Sequence, residues 1–256
     1  MLKRERLQKI VERVNATGIV TVNEIIEELG VSDMTARRDL DELDKEGLVN
    51  RVHGGAKKII MDNKHEKSHI EKHELQNEEK KEIATAASKL IKDGETIFMG
   101  PGTTLEYLAQ ELLTKKIRVI TNSLPVFNIL IQSKDVDLIL IGGEYRNITG
   151  AFVGSLATAN IQQLKFSKAF ISANGVFEGS IATYNESEGE CQRRALDNSL
   201  EKYLLVDNKK FNQYDFYDFY KLADLDCIIT DSKIDDETKK NFGRFVKIFV
   251  APAVRK

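Results

Sequence analysis

Val31-Ser32-Asp33-Met34-Thr35-Ala36-Arg37-Arg38-Asp39-Leu40, followed by Arg51-Val52-His53-Gly54-Gly55, is the part of this chain from which the rest can be read. Ser32 offers an oxygen to the free amides that open a helix, and Asp33 complements the positive end of its dipole. Ala36, Leu40 and Leu43 then fall on one side of that helix, while Met34, Arg37 and Arg38 point nearly the opposite way. One face is buried and the other is free to enter a major groove. Upstream, Thr21 caps a segment in which Val22, Ile25, Ile26 and Leu29 form an apolar stripe ending at Gly30. A first helix over 2–15, with Leu7, Ile10, Val11 and Val14 as its core face, gives the order helix, helix, turn, helix, hairpin. That order predicts a winged helix-turn-helix domain over residues 1–58.

The candidate DNA contacts are Ser32, Met34, Thr35, Arg37 and Arg38 on the helix, with Arg51, His53 and Gly54 in the wing. One of Arg37 and Arg38 is expected to read a guanine edge with two hydrogen bonds, the other to hold phosphate. Gly54 and Gly55 permit the tight reversal of the hairpin, and Lys57 and Lys58 add charge. Net charge carries no signature, because residues 1–58 hold eleven Lys or Arg against eleven Asp or Glu. Distribution is more telling. Residues 3–13 carry five basic and two acidic side chains, which leaves room for a positive face. The competing reading is a small helical domain whose arginine pair is merely solvated.

At 256 residues and 41% hydrophobic content the chain accommodates one large and one small domain. The charged N-terminus and the lack of any run near the roughly 18 apolar residues of a membrane span point to a cytoplasmic protein that engages no membrane. Cys191 and Cys227 lie far apart in structured segments and read as packing residues. Residues 59–79 turn polar and read as a linker. Within it, His65, His69 and His73 recur every fourth residue, a spacing that would align them on one helical face. Such a row cannot converge three rings on one ion, so a solvated face is expected and no metal.

From Glu95 onward, β-branched runs at 96–99, 118–121, 136–141, 168–173, 202–206, 227–230 and 246–250 alternate with helical stretches. That predicts a largely parallel α/β sheet in a domain spanning 80–256. Ligands of such sheets sit beyond the carboxyl ends of the strands. The first run ends in Gly100-Pro101-Gly102-Thr103-Thr104 and enters a helix, an arrangement that suits phosphate. The second ends in Thr121-Asn122-Ser123, the third in Gly142-Gly143-Glu144 with Arg146 close behind, and the fifth in Asp207-Asn208-Lys209-Lys210. Such an edge suits a phosphorylated polyol. Gly102, Thr103, Thr104 and Lys210 are assigned to phosphate, with Lys209 as the rival cation. Asn122, Glu144, Arg146 and Asn174 are assigned to sugar oxygens, with Gly100, Pro101, Ser123 and Gly143 lining the site. Ordinary loop chemistry is the competing account of any one of these loops. No dinucleotide fingerprint or P-loop is present, so no nucleotide cofactor is implied.

Taken with those residues, the chain resembles the DeoR family of bacterial sugar-metabolism repressors over essentially its full length. The resemblance rests on Ser32 to Leu40, on Arg51-Val52-His53-Gly54-Gly55-Ala56, and on a second domain similar to ribose-phosphate isomerase. It implies repression of sugar genes through operator DNA and release by a sugar phosphate. Met99 to Thr104, Gly142 to Arg146 leading to Ala151-Phe152-Val153-Gly154, and Glu201 to Asp207 resemble members that control lactose or galactose uptake, which implies tagatose 6-phosphate as effector. Many members carry Asp where Gly100 stands and near Asn174, so the resemblance also implies an altered sugar pose and a pocket that senses rather than catalyses. A sugar-phosphate isomerase with a DNA-binding appendage is the alternative of another class, kept open by Asp207, Lys209 and Lys210. Paired half-sites on DNA imply a homodimer or homotetramer. The aromatic cluster Phe216, Tyr217, Phe219 and Tyr220 is read as core first and interface second.

Overall fold

The computed structural model describes residues 3–46, 48–52, 54–58 and 66–253, and the chain parts into two compact units, 1–65 and 66–256. His53 and residues 59–65, which include His65, lie outside the described residues.

In the first unit α1 (Lys3–Thr17) is followed by β1 (Ile19–Thr21), α2 (Val22–Leu29), α3 (Asp33–Lys45), β2 (Val49–Val52) and β3 (Gly55–Lys58). Thr21 and Glu24 form a reciprocal cap at the start of α2, each side chain meeting the other's backbone amide. Gly30 ends α2 in the left-handed conformation, at φ 64°, with its amide on the Ile26 carbonyl at 3.0 Å. Ile10, Val14, Ile25, Ala36, Leu40 and Leu43 form the core between the helices. The three strands pair antiparallel in the order β1-β3-β2. A side chain at Gly55 would collide with the Val20 carbonyl, so this close approach of β3 to β1 requires glycine.

Of the five basic residues of α1, Lys3, Arg6 and Arg13 are paired within the unit, whereas Arg4 and Lys9 are exposed. The Arg6 guanidinium grips the buried Asp39 carboxylate of α3 with two hydrogen bonds, and Arg13 pairs with Glu28 of α2 at 3.1 Å. Acidic residues of α2 and α3 that leave the sequence neutral are answered internally.

The second unit begins with α4 (His69–His73) and α5 (Asn77–Ser88). There follow β4 (Thr96–Met99), α6 (Thr103–Glu111), β5 (Arg118–Thr121), α7 (Leu124–Leu130) and β6 (Asp137–Leu140). A hairpin of β7 (Glu144–Arg146) and β8 (Ala151–Val153) leads to α8 (Gly154–Gln162), β9 (Phe166–Ile171), β10 (Gly175–Phe177) and β11 (Ser180–Thr183). The chain closes with α9 (Glu186–Asp197), β12 (Ser199–Leu205), β13 (Tyr217–Lys221), β14 (Cys227–Thr230), α10 (Asp236–Phe242) and β15 (Ile248–Val250).

Seven strands make one parallel sheet in the order β15-β14-β12-β9-β4-β5-β6. Ile97 and Met99 of β4 pack with α5, α6 and α7 on one face, whereas Phe98 packs with α8, α9 and α10 on the other. Both faces are covered, which is why these strands read as nearly continuous apolar runs. The chain enters at β4, beside the central strand, moves outward through β5 and β6, and returns to the central strand β9 on the opposite side of β4. The crevice beyond the ends of β4 and β9 is therefore the topological switch point, the usual ligand position in such sheets.

Two expectations change here. Residues 66–79, read from their polarity as linker, are packed onto the second unit. Glu66 is buried, and the His69 amide bonds to the Ile148 carbonyl at 2.8 Å. The aromatic cluster divides: Phe219 is buried, Tyr217 and Phe219 lie where a side chain at Gly189 of α9 would clash, and Phe216 is exposed. It is mainly a lid of the β10-β11-β13 sheet on α9.

Replacing Arg6 by Met leaves the buried Asp39 carboxylate unanswered and is expected to destabilise the helix-turn-helix unit by about 2–3 kcal/mol. Calorimetry of the full chain should show that unit melting earlier while the transition of the sheet unit stays in place.

Candidate functional site

At the DNA-facing surface, Ser32 caps α3 by accepting from the Thr35 amide at 3.3 Å, and the two hydroxyls lie 2.9 Å apart. Met34, Arg37 and Arg38 are all exposed, with Met34 at 72%. The two arginines differ. Arg37 donates to Asp33 one turn back at 2.7 Å, whereas Arg38 meets no acceptor among the described residues.

Arg51 does not extend from the wing as expected. Its Nε donates to Asp41 at 2.8 Å and its Nη1 to the Gly55 carbonyl at 2.6 Å, while its amide donates to Asp44 at 2.7 Å. It clamps the β2-β3 hairpin to α3, because the acidic side of that helix faces the hairpin. Gly54 makes the turn at φ 85° and its carbonyl accepts from the Val22 amide at 2.8 Å.

In the sheet unit the sequence-selected residues split into two groups. Gly100, Pro101, Gly102, Thr103, Thr104, Asn174 and Lys210 gather about the switch point. Gly102 adopts φ 139°, and a Cβ there would stand 3.0 Å from Ser172 Cβ, so the loops after β4 and β9 touch. No side chain caps the N-terminus of α6 that follows. Thr103 and Thr104 are buried in its first turn. The Asn174 Oδ1 accepts from Lys72 at 3.0 Å.

The second group serves the β7-β8 hairpin. Asn122 donates from its side chain to the Phe152 carbonyl at 2.9 Å, and Ser123 caps α7 by accepting from the Val126 amide at 3.3 Å. A Cβ on Gly143 would strike the Val153 carbonyl, so this glycine serves close packing. Glu144 is exposed. Arg146, expected to address sugar, is held by Glu66 on one side and by Glu188 at 3.3 Å on the other. Burial pushes the Glu188 carboxyl up, against the pull of Lys72 and Arg146.

Sequence reading missed two lysines at the switch point, Lys72 and Lys80. Lys80 is buried on α5, and its ammonium bonds to the Lys72 carbonyl. Burial pushes it down to about 8, opposed by Asp207 and assisted by Lys210. Lys210 is pushed down by burial as well, with Asp207 pulling it up and Lys72 and Lys67 adding to the depression. Lys209 faces solvent, whereas Lys210 is half-buried. Asp207 is buried and caps the turn carrying Lys210 by accepting from the Lys209 amide at 3.0 Å. Nearby carboxylates have other partners: Glu106 meets His69 at 2.6 Å, and Glu79 pairs with Lys233. The expected solvated histidine face is thus partly occupied, since His69 lies on α6 and His73 stacks on Tyr107. The signal for Lys80 was available in the helical stripe of Ile83, Ala84 and Ala87, whose face it shares.

Three ammonium groups, one shared carboxylate and an uncapped helix N-terminus make an environment that an anion stabilises. Together with the exposed recognition helix, this defines a class: DNA-binding regulators that join a helix-turn-helix reader to an α/β sensor. Residues 6–60 match the model of the DeoR-like helix-turn-helix domain, and residues 75–232 match that of the DeoR C terminal sensor domain. The chain is 54% identical over 254 residues to the lactose phosphotransferase system repressor of Lactococcus lactis subsp. lactis, covering 98% of this chain and 100% of that protein. It is 45% identical to the repressor of the same name from Streptococcus mutans, covering 94% and 96% respectively. Among solved structures it is similar to ribose 5-phosphate isomerase A from Methanocaldococcus jannaschii, at TM-score 0.38 and 20% identity over 52% of this chain and 53% of that one. It is also similar to eIF2B delta from Chaetomium thermophilum, at TM-score 0.46 and 12% identity over 88% and 72%. The chain belongs to the DeoR family, and it is a DNA-binding regulator rather than an enzyme.

An anion beside Lys80 favours its charged form. Above about pH 8 the free site has lost that proton and binding must take it up again, so phosphate affinity is expected to fall as pH rises through 8, by up to about tenfold per unit. Titration calorimetry with inorganic phosphate at about pH 7 and about pH 9 reads the difference, and equal affinities would place the anion away from Lys80.

Proposed function

We propose that this protein is a cytoplasmic repressor of lactose-utilisation genes whose hold on operator DNA is released by a hexose 6-phosphate, with tagatose 6-phosphate the effector of choice. The observation that carries the sensor half is the grouping of Lys72, Lys80 and Lys210, with Lys80 on the Lys72 carbonyl and under the influence of Glu106 in the first turn of the uncapped α6. A phosphate dianion supplies the charge these groups lack. Gly102 with Thr103 and Thr104 offers backbone amides and hydroxyls to its oxygens, and Asn174 addresses a sugar hydroxyl. The relatives named for the lactose phosphotransferase system match from end to end, which supports the choice of genes. No helix among the described residues is long and apolar enough to cross a membrane.

On DNA, α3 lies in the major groove with Arg38 forked onto a guanine, Arg37 and Ser32 toward phosphate, and Thr35 and Met34 against base edges. Gly54 brings the wing's backbone near the duplex, and His53 contributes a further contact there. One recognition helix per chain covers one half-site, so the working form is a homodimer or homotetramer on paired half-sites about one helical turn apart. An effector that weakens DNA binding must bind the DNA complex less well by the same factor, commonly worth about 1–3 kcal/mol.

A gel shift on the promoter of neighbouring sugar genes, titrated with tagatose, galactose and fructose 6-phosphates and with the unphosphorylated sugars, tests this directly. Release by a phosphosugar and by no unphosphorylated sugar is expected; indifference to every phosphosugar would refute it. Arg38→Ala is expected to cost about 1–3 kcal/mol on operator and relax preference at one base pair. Arg51→Ala should instead lower the melting temperature of the reader unit and weaken specific and random DNA alike. Binding measured on both DNAs separates the two.

A further inference from the structure

Gly100 stands at the carboxyl end of β4, and nothing in its own backbone calls for glycine. Its φ lies outside the left-handed region that Gly102 occupies, and beyond its chain neighbours the nearest backbone atom to a Cβ built there is the Phe170 carbonyl oxygen, at 3.7 Å. Closer to that missing Cβ stands the Oε1 of Gln192 on α9, at 3.4 Å, with Ile171 Cγ2 next at 3.6 Å. Alternation along β4 puts this position on the face of Phe98, toward α9, and opposite Met99. The glycine therefore leaves room for a methyl-sized group, walled on one side by an amide oxygen.

That oxygen lacks a partner. Gln192 is 2% exposed, and its Oε1 is buried with no hydrogen-bond donor among the described residues. Buried acceptors nearly always find a donor, because leaving one dry forfeits the hydrogen bond that water supplied. Asn122, one position past the Met99–Thr121 pair of β4 and β5, repeats the arrangement: its Nδ2 is spent on the Phe152 carbonyl, whereas its Oδ1 is buried without a donor. Two orphan acceptors thus belong to one face of the sheet's carboxyl edge. Both are neutral, and what they lack is an O–H or N–H. A sugar hydroxyl brings one; a phosphate dianion brings only lone pairs and charge.

Resting on the reading of a phosphosugar at the switch point, we propose that Gln192 is a specificity-determining residue of the sensor: its Oε1 accepts a hydrogen bond from one hydroxyl of the effector sugar, which enters the space beside Gly100. The phosphate stays with the lysines. Lys80 belongs to α5, on the opposite face of the sheet from α9, so charge and hydroxyl pattern are read from two sides of one edge. A phosphosugar with no hydroxyl at that place leaves Oε1 unmet and binds less well, which is how a neutral amide discriminates between ligands of equal charge.

The test titrates tagatose 6-phosphate, its monodeoxy forms and inorganic phosphate into the full-length parent chain, Gln192→Met and Gly100→Ala. Gln192→Met keeps the length of the side chain and removes the acceptor. It is expected to bind tagatose 6-phosphate about tenfold or more weakly, to bind inorganic phosphate as the parent does, and to hold operator in the absence of effector. The parent should lose a similar factor on one of the monodeoxy sugars, and Gln192→Met should be indifferent to that same deletion. Gly100→Ala, whose methyl fills the space while Oε1 stays in place, should weaken tagatose 6-phosphate as well. Parent-like affinity for tagatose 6-phosphate in either variant overturns the proposal, as a water on Oε1 would produce. So does an equal loss of phosphosugar and inorganic phosphate by Gln192→Met, the sign of a damaged edge. Those results leave the phosphosugar sensor intact, whereas a parent chain that binds no phosphosugar sinks both.

Discussion

Ammonium groups taken out of water at the carboxyl edge of a parallel sheet are the constraint around which the sensor is organised. Lys80 is buried and Lys210 is strongly desolvated, and Lys72 adds its charge beside them. Burying such charges is costly unless an opposite charge answers them. Glu106 is engaged by His69, Glu188 by Arg146 and Glu79 by Lys233, while Asp207 bears on both Lys80 and Lys210. A fold that keeps this imbalance at its topological switch point is poised for an anion. The chemistry of the site is that of recognition, because its polar groups are donors arranged around charge and the chain belongs to a family of regulators.

The reader unit follows the opposite rule. Its charges are largely paired among themselves: Arg6 with Asp39, Arg13 with Glu28, Arg51 with Asp41. These pairs bind α1, α2 and the wing to one another and to α3, and the balance explains why residues 1–58 carry no net charge. Arg38 remains outside this network, exposed and without a partner among the described residues. A reader of this kind gains specificity from a rigidly aimed helix more than from a broad basic surface. Residues 66–76 meet the sheet's charged edge through polar contacts of Glu66, Lys72 and Gln76.

Much of this was legible in local sequence. Helix ends carried their own signals, as Thr21 with Glu24, Ser32 and Gly30 show, since capping is decided within a few residues. The apolar period of α1 to α3 marked the reader's core, and seven β-branched runs marked the seven strands of the parallel sheet. The turn from Gly100 to Thr104 into a helix was recognisable because its glycines and the hydroxyls that follow mark a strand-to-helix junction within a few residues.

What the sequence determined by itself is therefore the helices and hairpin of the reader, the seven strands of the parallel sheet in their order along the chain, and the identity of the two modules. Tertiary structure alone decided which charged groups are at liberty. Arg51 and Arg146 look free in sequence and are occupied, while Lys72 and Lys80 look like solvated residues near a linker and stand at the centre of the site. The physical reason is separation along the chain. Arg146 meets Glu66 from 80 residues away and Lys72 meets Asn174 across 102, distances over which no local pattern reports and only the folded sheet brings charge to charge.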